Sequence, residues 1–440
     1  MKSTTKSNEL KELRSLWILT IVTFILLILF SSGCTDSCEV TRSYISYEPV
    51  YTTTDEIRES IEFIGPEEIS NPGRIYFKDG FIYINESAKG IHVIDNRIPT
   101  QPNKLGFLNI PGNYDLAAKG NHLYADSYVD LVVFDISNPA SIEEVGRMNG
   151  VFASYDTYIG LWNEEEETII TDWEQNLVQE TFESECGDGD VVIMEDALFD
   201  QAGPVASLRA ESSVDLNSNT TGVGGSLAKF TIYNDFLYTV NSYEMRLFDI
   251  SNATEPETGE TIPLGWGIET IFPYGDKLFI GAMNGMHIYD NVNPESPEWI
   301  STYEHINSCD PVVVQDDLAY VTLRSGTECE GFTNQLDIVD ISDLSRPELF
   351  KTYEMQNPHG LGIDGTCLFI TEGEFGLKFF NATDPDNLEE IAHQEGLHAI
   401  DVIPLNEILM VIGNDGFHQY EYNCETGAFD RLSTIQITQL

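Results

Sequence analysis

One polar or charged side chain falls at the same place in each of a series of similar segments along this sequence. If the segments converge, these side chains would line one pocket mouth, which is the usual form of a ligand site. Carboxylates and a histidine can also hold a catalytic metal, Ca²⁺ among the candidates, with Asp115, Glu269, Asp310 and His359 as ligands. The alternative is a water-filled channel that needs polar walls. The full set is Arg74, Asp115, Lys229, Glu269, Asp310, His359, and His398 or Asp401.

The segments that carry these side chains are built around a short recurring phrase, an apolar run that ends in an acid. The intervals between phrases are 40 or 41 residues, apart from one of 114 and one of 50. Such a period indicates a repeat architecture, here with one large insertion after the second repeat. The phrase occurs at 91–95, 131–135, 245–249, 286–290, 336–340, 377–381 and 417–421.

Each repeat contains four short apolar runs separated by turns rich in Gly, Asn, Asp and Pro, which predicts four antiparallel strands. Four strands in about 40 residues make one blade of a β-propeller. We therefore predict an all-β fold, with a β-propeller over residues 60–440. It has seven blades, or eight if the insertion forms a degenerate blade. The ring could close with a strand from 61–65 or from 432–437, because both resemble the same blade position.

The phrase in residues 336–342, Leu-Asp-Ile-Val-Asp-Ile-Ser, resembles the LVIVD-repeat family of bacterial and archaeal cell-surface proteins. The resemblance covers residues 60–440 apart from the insertion, and it implies a propeller without an assigned chemistry. We interpret the recurring acid as a turn former, because an Asp there accepts a hydrogen bond from the N–H two residues on. The acids are Asp95, Asp135, Asp249, Asp290 and Asp340, with Asn381 in the same role.

The insertion, residues 152–226, breaks the repeat. It is acidic, with four glutamates at 164–167, and it ends in a Ser, Asn and Gly-rich stretch around 212–226. We predict a loop or hairpin, formed by 168–173 and 177–182, with a flexible exit.

Trp266 lies between two glycines in a loop that leads into an innermost strand. It is either an exposed ring that stacks on a sugar or an aromatic group, or a plug between blades.

Six cysteines follow Cys34, and an exported location would allow them to form disulfides. Cys309 precedes the first strand of the fifth repeat, and Cys329 lies in the second turn of that repeat, which shares a face with it. We therefore predict a Cys309–Cys329 bridge. Cys367 with Cys424 is a weaker prediction, and Cys38 with Cys186 is the remainder.

The N-terminus resembles a bacterial lipoprotein signal. Four basic residues precede an apolar run at 16–30, which is short for a spanning helix, and small residues precede Cys34. The resemblance implies that residues 1–33 are removed, that Cys34 carries the lipid, and that 34–59 tethers the propeller. Thr35 rather than Asp follows the cysteine. This favours the outer membrane, with the protein facing the periplasm or the cell surface.

The formal net charge of −51 excludes nucleic acid as a partner, since like charges repel. The sequence contains no G-x-S-x-G, H-E-x-x-H, phosphate-loop or EF-hand motif. We therefore favour a binding or scaffolding module for a protein or glycan partner of the cell envelope. The alternative functions are a metal-dependent, lactonase-like hydrolase that uses the axial carboxylates, and a purely structural envelope protein.

Overall fold

The chain divides into two compact units, Met1–Val50 with Asp172–Ala202 and Tyr51–Thr171 with Gly203–Leu440. The computed structural model describes residues 17–18, 20–23, 37–155, 160–185, 210–211, 221–305, 311–326 and 333–437.

Residues 17–18 and 20–23 are helical, and the chain from residue 37 begins with a long strand and a short helix. Strand β1 (Ser37–Thr53) leads into helix α1 (Thr54–Glu59) and strand β2 (Glu62–Ile64). Thr53 and Glu56 form a reciprocal capping box that satisfies two N–H groups at the start of α1. The predicted tether at 34–59 therefore contains β1 and α1.

Two four-strand units follow, each made of consecutive antiparallel strands. In sheet 1, β2 pairs with β6 as an additional outer strand. Its own strands are β3 (Pro72–Lys78), β4 (Phe81–Glu86), β5 (Gly90–Asp95) and β6 (Asn103–Asn109). Sheet 2 comprises β7 (Leu116–Lys119), β8 (His122–Ser127), β9 (Asp130–Asp135) and β10 (Glu143–Met148).

The insertion contributes five strands that form no four-stranded sheet of their own within the described residues. The predicted hairpin is wrong, because 168–173 and 177–182 belong to one strand. That strand pairs with β1, a distant partner that local sequence patterns cannot reveal. In the first unit, the Tyr44 hydroxyl donates to Glu180 Oε1 at 3.0 Å. The strands are β11 (Trp162–Asn163), β12 (Thr168–Glu185), β13 (Ala210–Glu211), β14 (Val223–Gly224) and β15 (Ser226–Leu227).

Five further sheets of four consecutive antiparallel strands complete the second unit. Sheet 3 comprises β16 (Phe230–Tyr233), β17 (Phe236–Val240), β18 (Glu244–Asp249) and β19 (Glu257–Pro263). Sheet 4 comprises β20 (Ile268–Tyr274), β21 (Lys277–Ala282), β22 (Gly285–Asp290) and β23 (Glu298–Glu304). Sheet 5 comprises β24 (Val312–Gln315), β25 (Leu318–Leu323), β26 (Gln335–Asp340) and β27 (Glu348–Glu354). Sheet 6 comprises β28 (Leu361–Asp364), β29 (Cys367–Thr371), β30 (Leu377–Asn381) and β31 (Glu389–Gln394). Sheet 7 comprises β32 (Ala399–Leu405), β33 (Ile408–Gly413), β34 (Gly416–Asn423) and β35 (Ala428–Gln436).

The first strands of the seven sheets surround a common axis. They contact one another in the order β3, β7, β16, β20, β24, β28, β32 and back to β3. The second unit is therefore a β-propeller, as predicted, with seven sheets among the described residues. Because each sheet packs against a neighbour on both faces, its middle strands are buried throughout rather than alternating.

The ring closes without exchanging a strand between its two ends. Strand β2 pairs with sheet 1 and β35 with sheet 7, so both candidate closing strands belong to the outer edge of their own sheet. The seam is closed by side chains instead. Asn96 and Gln419, both fully buried, donate to each other's amide oxygen at 2.8 Å in each direction. These paired bonds leave neither amide unsatisfied in the seam.

The recurring acids form the predicted turns. Asp135 Oδ1 accepts from the Ser137 N–H at 2.8 Å, and Asn381 makes the corresponding bond without a charge. The hydrogen bonds from Ser137 lower the pKa of the Asp135 carboxyl. The acids are therefore structural. The same bond is made by Asp95, Asp249, Asp290 and Asp340.

Candidate functional site

The C-terminal end of the insertion, where the chain returns to the repeats, occupies the axis of the ring. We call residues 222–229 the axial segment; within it, Val223 and Gly224 pair with β3 in antiparallel orientation, with Val223 opposite Phe77. Strand β15, within this segment, contacts the innermost strands of sheets 4 and 7. The Leu361 N–H, at the start of sheet 6, donates to Ser226 Oγ at 3.2 Å. The segment thus lies inside the ring, and the flexible exit predicted around 212–226 is wrong for its residues 222–226, while 212–220 lie outside the described residues.

Glycines allow the axial segment to approach the innermost strands closely. A Cβ atom on Gly222 would lie 2.2 Å from the Tyr76 ring, and one on Gly225 would lie 2.3 Å from Asp401 Oδ2. Neither position leaves space for a side chain. The run of small residues at 222–226 was the signal in the sequence, but it is equally typical of a mobile linker.

Arg74 and Asp115, two of the predicted site residues, bind the backbone of this region. Arg74 Nε donates to the Leu227 carbonyl at 2.5 Å, and its Nη1 donates to the Tyr114 carbonyl at 2.6 Å. Asp115 Oδ2 accepts from the N–H groups of Lys229 and Phe230. Burial raises the pKa of the Asp115 carboxyl, against the opposing effects of Arg74 and three backbone N–H groups.

A second buried carboxylate, Asp126, accepts a hydrogen bond from the Asp115 N–H. The sequence did not predict this residue as part of the site. Its Oδ1 accepts from the N–H groups of Tyr114 and Asp115 at 2.8 and 2.9 Å and from Asn113 Nδ2 at 2.8 Å. Burial is the largest influence on this group and raises the pKa of Asp126 to about 7, and the charge of Asp115 acts in the same direction. Asp115, Asp126 and Arg74 therefore place two carboxylates beside one guanidinium.

The other predicted site residues lie around the same axis without forming one cluster. Glu269 and Asp401 are buried in β20 and β32, and Asp401 packs beside the Gly225 backbone. His359 is half-buried, and its Nε2 lies 3.1 Å from Asn357 Nδ2. His398, the alternative to Asp401, is half-buried with its N–H on Asp415.

No three His, Cys, Asp or Glu side chains among the described residues are arranged to hold a metal ion. Of the four candidate ligands, Asp115 is engaged with backbone N–H groups, and Asp310 lies outside the described residues.

Trp266 is exposed and is therefore not buried as a plug between blades. Its side chain is 53 % exposed, and the nearby Tyr243 is 47 % exposed. Backbone hydrogen bonds from Leu264 to Tyr243 at 2.8 Å and from Met283 to Gly267 at 2.8 Å brace the loop on both sides. Gly267 has a φ of +78°, which only glycine adopts readily. Trp266 and Tyr243 are thus two exposed rings on neighbouring, hydrogen-bonded loops at the axial face, which is the face where the chain enters the innermost strands.

The described disulfide joins sheets 6 and 7. Cys367, at the start of β29, is bonded to Cys424, just after β34, with the Cα atoms 5.5 Å apart. This confirms the weaker pairing. The preferred pairing of Cys309 with Cys329 lies outside the described residues, as does the lipidation candidate Cys34. The structure, over the residues it describes, has no helix that is both long and apolar enough to cross a bilayer.

The family model of the LVIVD repeat matches residues 113–150 and 309–355. This protein carries LVIVD repeats. The matched residues include two of the recurring phrases. None of the curated proteins matches the sequence significantly.

Three solved structures are similar to this LVIVD-repeat protein at low sequence identity, and the first of them, with a TM-score above 0.5, shares its fold. A protein from Lactobacillus plantarum is 12 % identical with a TM-score of 0.53, over 84 % of this chain and 97 % of that one. BamB from Moraxella catarrhalis is 9 % identical with a TM-score of 0.46, over 81 % and 84 %. Hsv2p from Kluyveromyces lactis is 10 % identical with a TM-score of 0.46, over 84 % and 99 %.

Proposed function

We propose that this LVIVD-repeat protein is a lipid-anchored, extracytoplasmic β-propeller that binds a protein or glycan partner of the cell envelope. The observation that carries the proposal is that Trp266 and Tyr243 are both exposed on neighbouring, hydrogen-bonded loops at the axial face. Rigid aromatic rings supply contact area at low cost in conformational entropy, and they stack on sugars and on other aromatic groups. Since the axial segment fills the axis, the partner binds on the rim rather than inside the ring.

The Trp266→Ala variant is expected to bind envelope glycans or captured envelope proteins about tenfold more weakly, the size typical of a central aromatic anchor. The measurement is binding of the purified mature domain to immobilised envelope glycans and to cross-linked envelope extract. Trp299→Ala is the matched control, because Trp299 is 61 % exposed but lies on the outer strand β23. An equal loss of binding in both variants, or no loss in either, would show that the partner does not bind at Trp266 on the rim.

The lipid anchor rests on the basic start, the short apolar run and Cys34, and it is tested separately. The Cys34→Ser variant is expected to move from the membrane fraction to the soluble extracytoplasmic fraction and to lose incorporation of a clickable palmitate analogue. Cys38→Ser, four residues further on, is the control that should keep both properties. A Cys34→Ser protein that stays lipid-labelled would show that another residue carries the anchor.

A further inference from the structure

The ring is complete without the axial segment. All seven sheets have four strands of their own, and the innermost strands contact one another in a closed cycle. The axial segment adds a strand to the free inner edge of β3, with Gly225 N–H donating to the Ile75 carbonyl at 3.1 Å. This is the geometry in which sheets bind extended peptides.

The ring recognises the axial segment mainly through its backbone. The Leu227 carbonyl accepts from Arg74, and the Ala228 carbonyl accepts from the Ile271 N–H at 3.1 Å. The Gly222 N–H donates to the Ala118 carbonyl at 3.0 Å. The contacts come from sheets 1, 2 and 4, so the segment is held from several sides at once.

The axial segment brings little apolar surface of its own. Five of its eight residues are Gly, Ala or Ser, and Val223 and Leu227 are its large apolar side chains. A segment with few buried apolar contacts opens at a lower free energy than a core strand. Its occupancy of the axis is therefore separable from the folding of the ring.

We propose that the axis of this propeller is a binding site for an extended polypeptide strand of small residues, and that residues 222–229 fill it as a ligand tethered to the ring. Arg74 and Asp115 bind the backbone of the strand at this site. Tyr76 and Asp401 lie so close to the strand that glycine is needed beside them. A short tether gives an effective concentration in the millimolar range, so a free peptide binds only when the tethered strand is displaced. This proposal is independent of the partner site on the rim.

Hydrogen exchange of the wild-type protein tests whether the segment opens by itself. The bonded amides of Gly222, Gly225 and Lys229 are expected to exchange at least tenfold faster than those of β24, which opens only with the ring. Equal protection of the two sets would show that the segment is part of the core, and would overturn the proposal.

A variant with the site emptied tests recognition directly. Gly225→Val should displace the tethered strand, because a Cβ there meets the Asp401 carboxylate, whereas Gly65→Val is the control with nothing within 4 Å. A fluorescein-labelled peptide of residues 220–230 should bind Gly225→Val, and neither Gly65→Val nor the wild type. The same peptide with Val for Gly225 should not bind. A Gly225→Val protein that folds but does not bind the peptide would overturn the proposal. A variant that cannot fold would overturn it as well, because the proposal requires the ring to fold without the strand at its axis.

Discussion

Replacing both Cys367 and Cys424 by Ala is expected to lower the free energy of unfolding by about 4 kcal/mol, the chain-entropy estimate for a loop of this length. The two cysteines are 57 residues apart and join neighbouring sheets. Without the bridge, the unfolded chain regains the freedom that the loop had lost. The measurement is denaturant unfolding under oxidising conditions.

The control for the disulfide prediction is the same pair of proteins in reductant. There the wild type loses the bridge as well, so the two should differ only by the packing of two sulfur atoms beside Phe369 and Tyr422. If the oxidised wild type were no more stable than the oxidised variant, the bridge would contribute nothing to the stability of this ring.

The second large effect is a loss of stability as the pH rises, caused by Asp126. The pKa of Asp126 is about 7 in the folded protein, above the usual value of 3.8. Between these two pH values, the folded protein holds a proton on Asp126 that the unfolded chain has released. The contribution of Asp126 to stability is therefore largest below about pH 4, falls as the pH rises towards 7, and is level above it. A shift of this size corresponds to about 4 kcal/mol, as an order of magnitude.

The Asp126→Asn variant removes this pH dependence. Its amide oxygen can still accept from Tyr114 and Asp115, but it carries no charge beside Asp115. We expect the wild type to lose more stability than the variant between pH 5 and pH 8, because the variant keeps only the contribution of Asp115, whose pKa is also raised. The matched control is Asp135→Asn, on a turn where the pKa is lowered rather than raised. A wild type whose stability is level from pH 5 to 8 would contradict the raised pKa.

The repeat period could be predicted from the sequence because it depends on residues that are close together in the chain. A strand, an acid and a turn recur every 40 residues, and each depends on residues within a few positions of one another. The turn function of Asp135 and Asn381 follows from hydrogen bonds only two residues long. Local chemistry of this kind is written directly in the sequence, and it determined the all-β class and the four-strand unit.

The interior of the ring could not be read in the same way. The axial segment, the pairing of β1 with β12, and the Asn96–Gln419 pair join residues 100 or more positions apart, and nothing nearby in sequence specifies such partners. A Gly-rich run can be a linker or a strand that fits a narrow channel, and only the neighbours Tyr76 and Asp401 decide between the two. By itself, the sequence determined which residues form blades. Tertiary structure decided what fills the axis, because burial and long-range contact are properties of the closed ring.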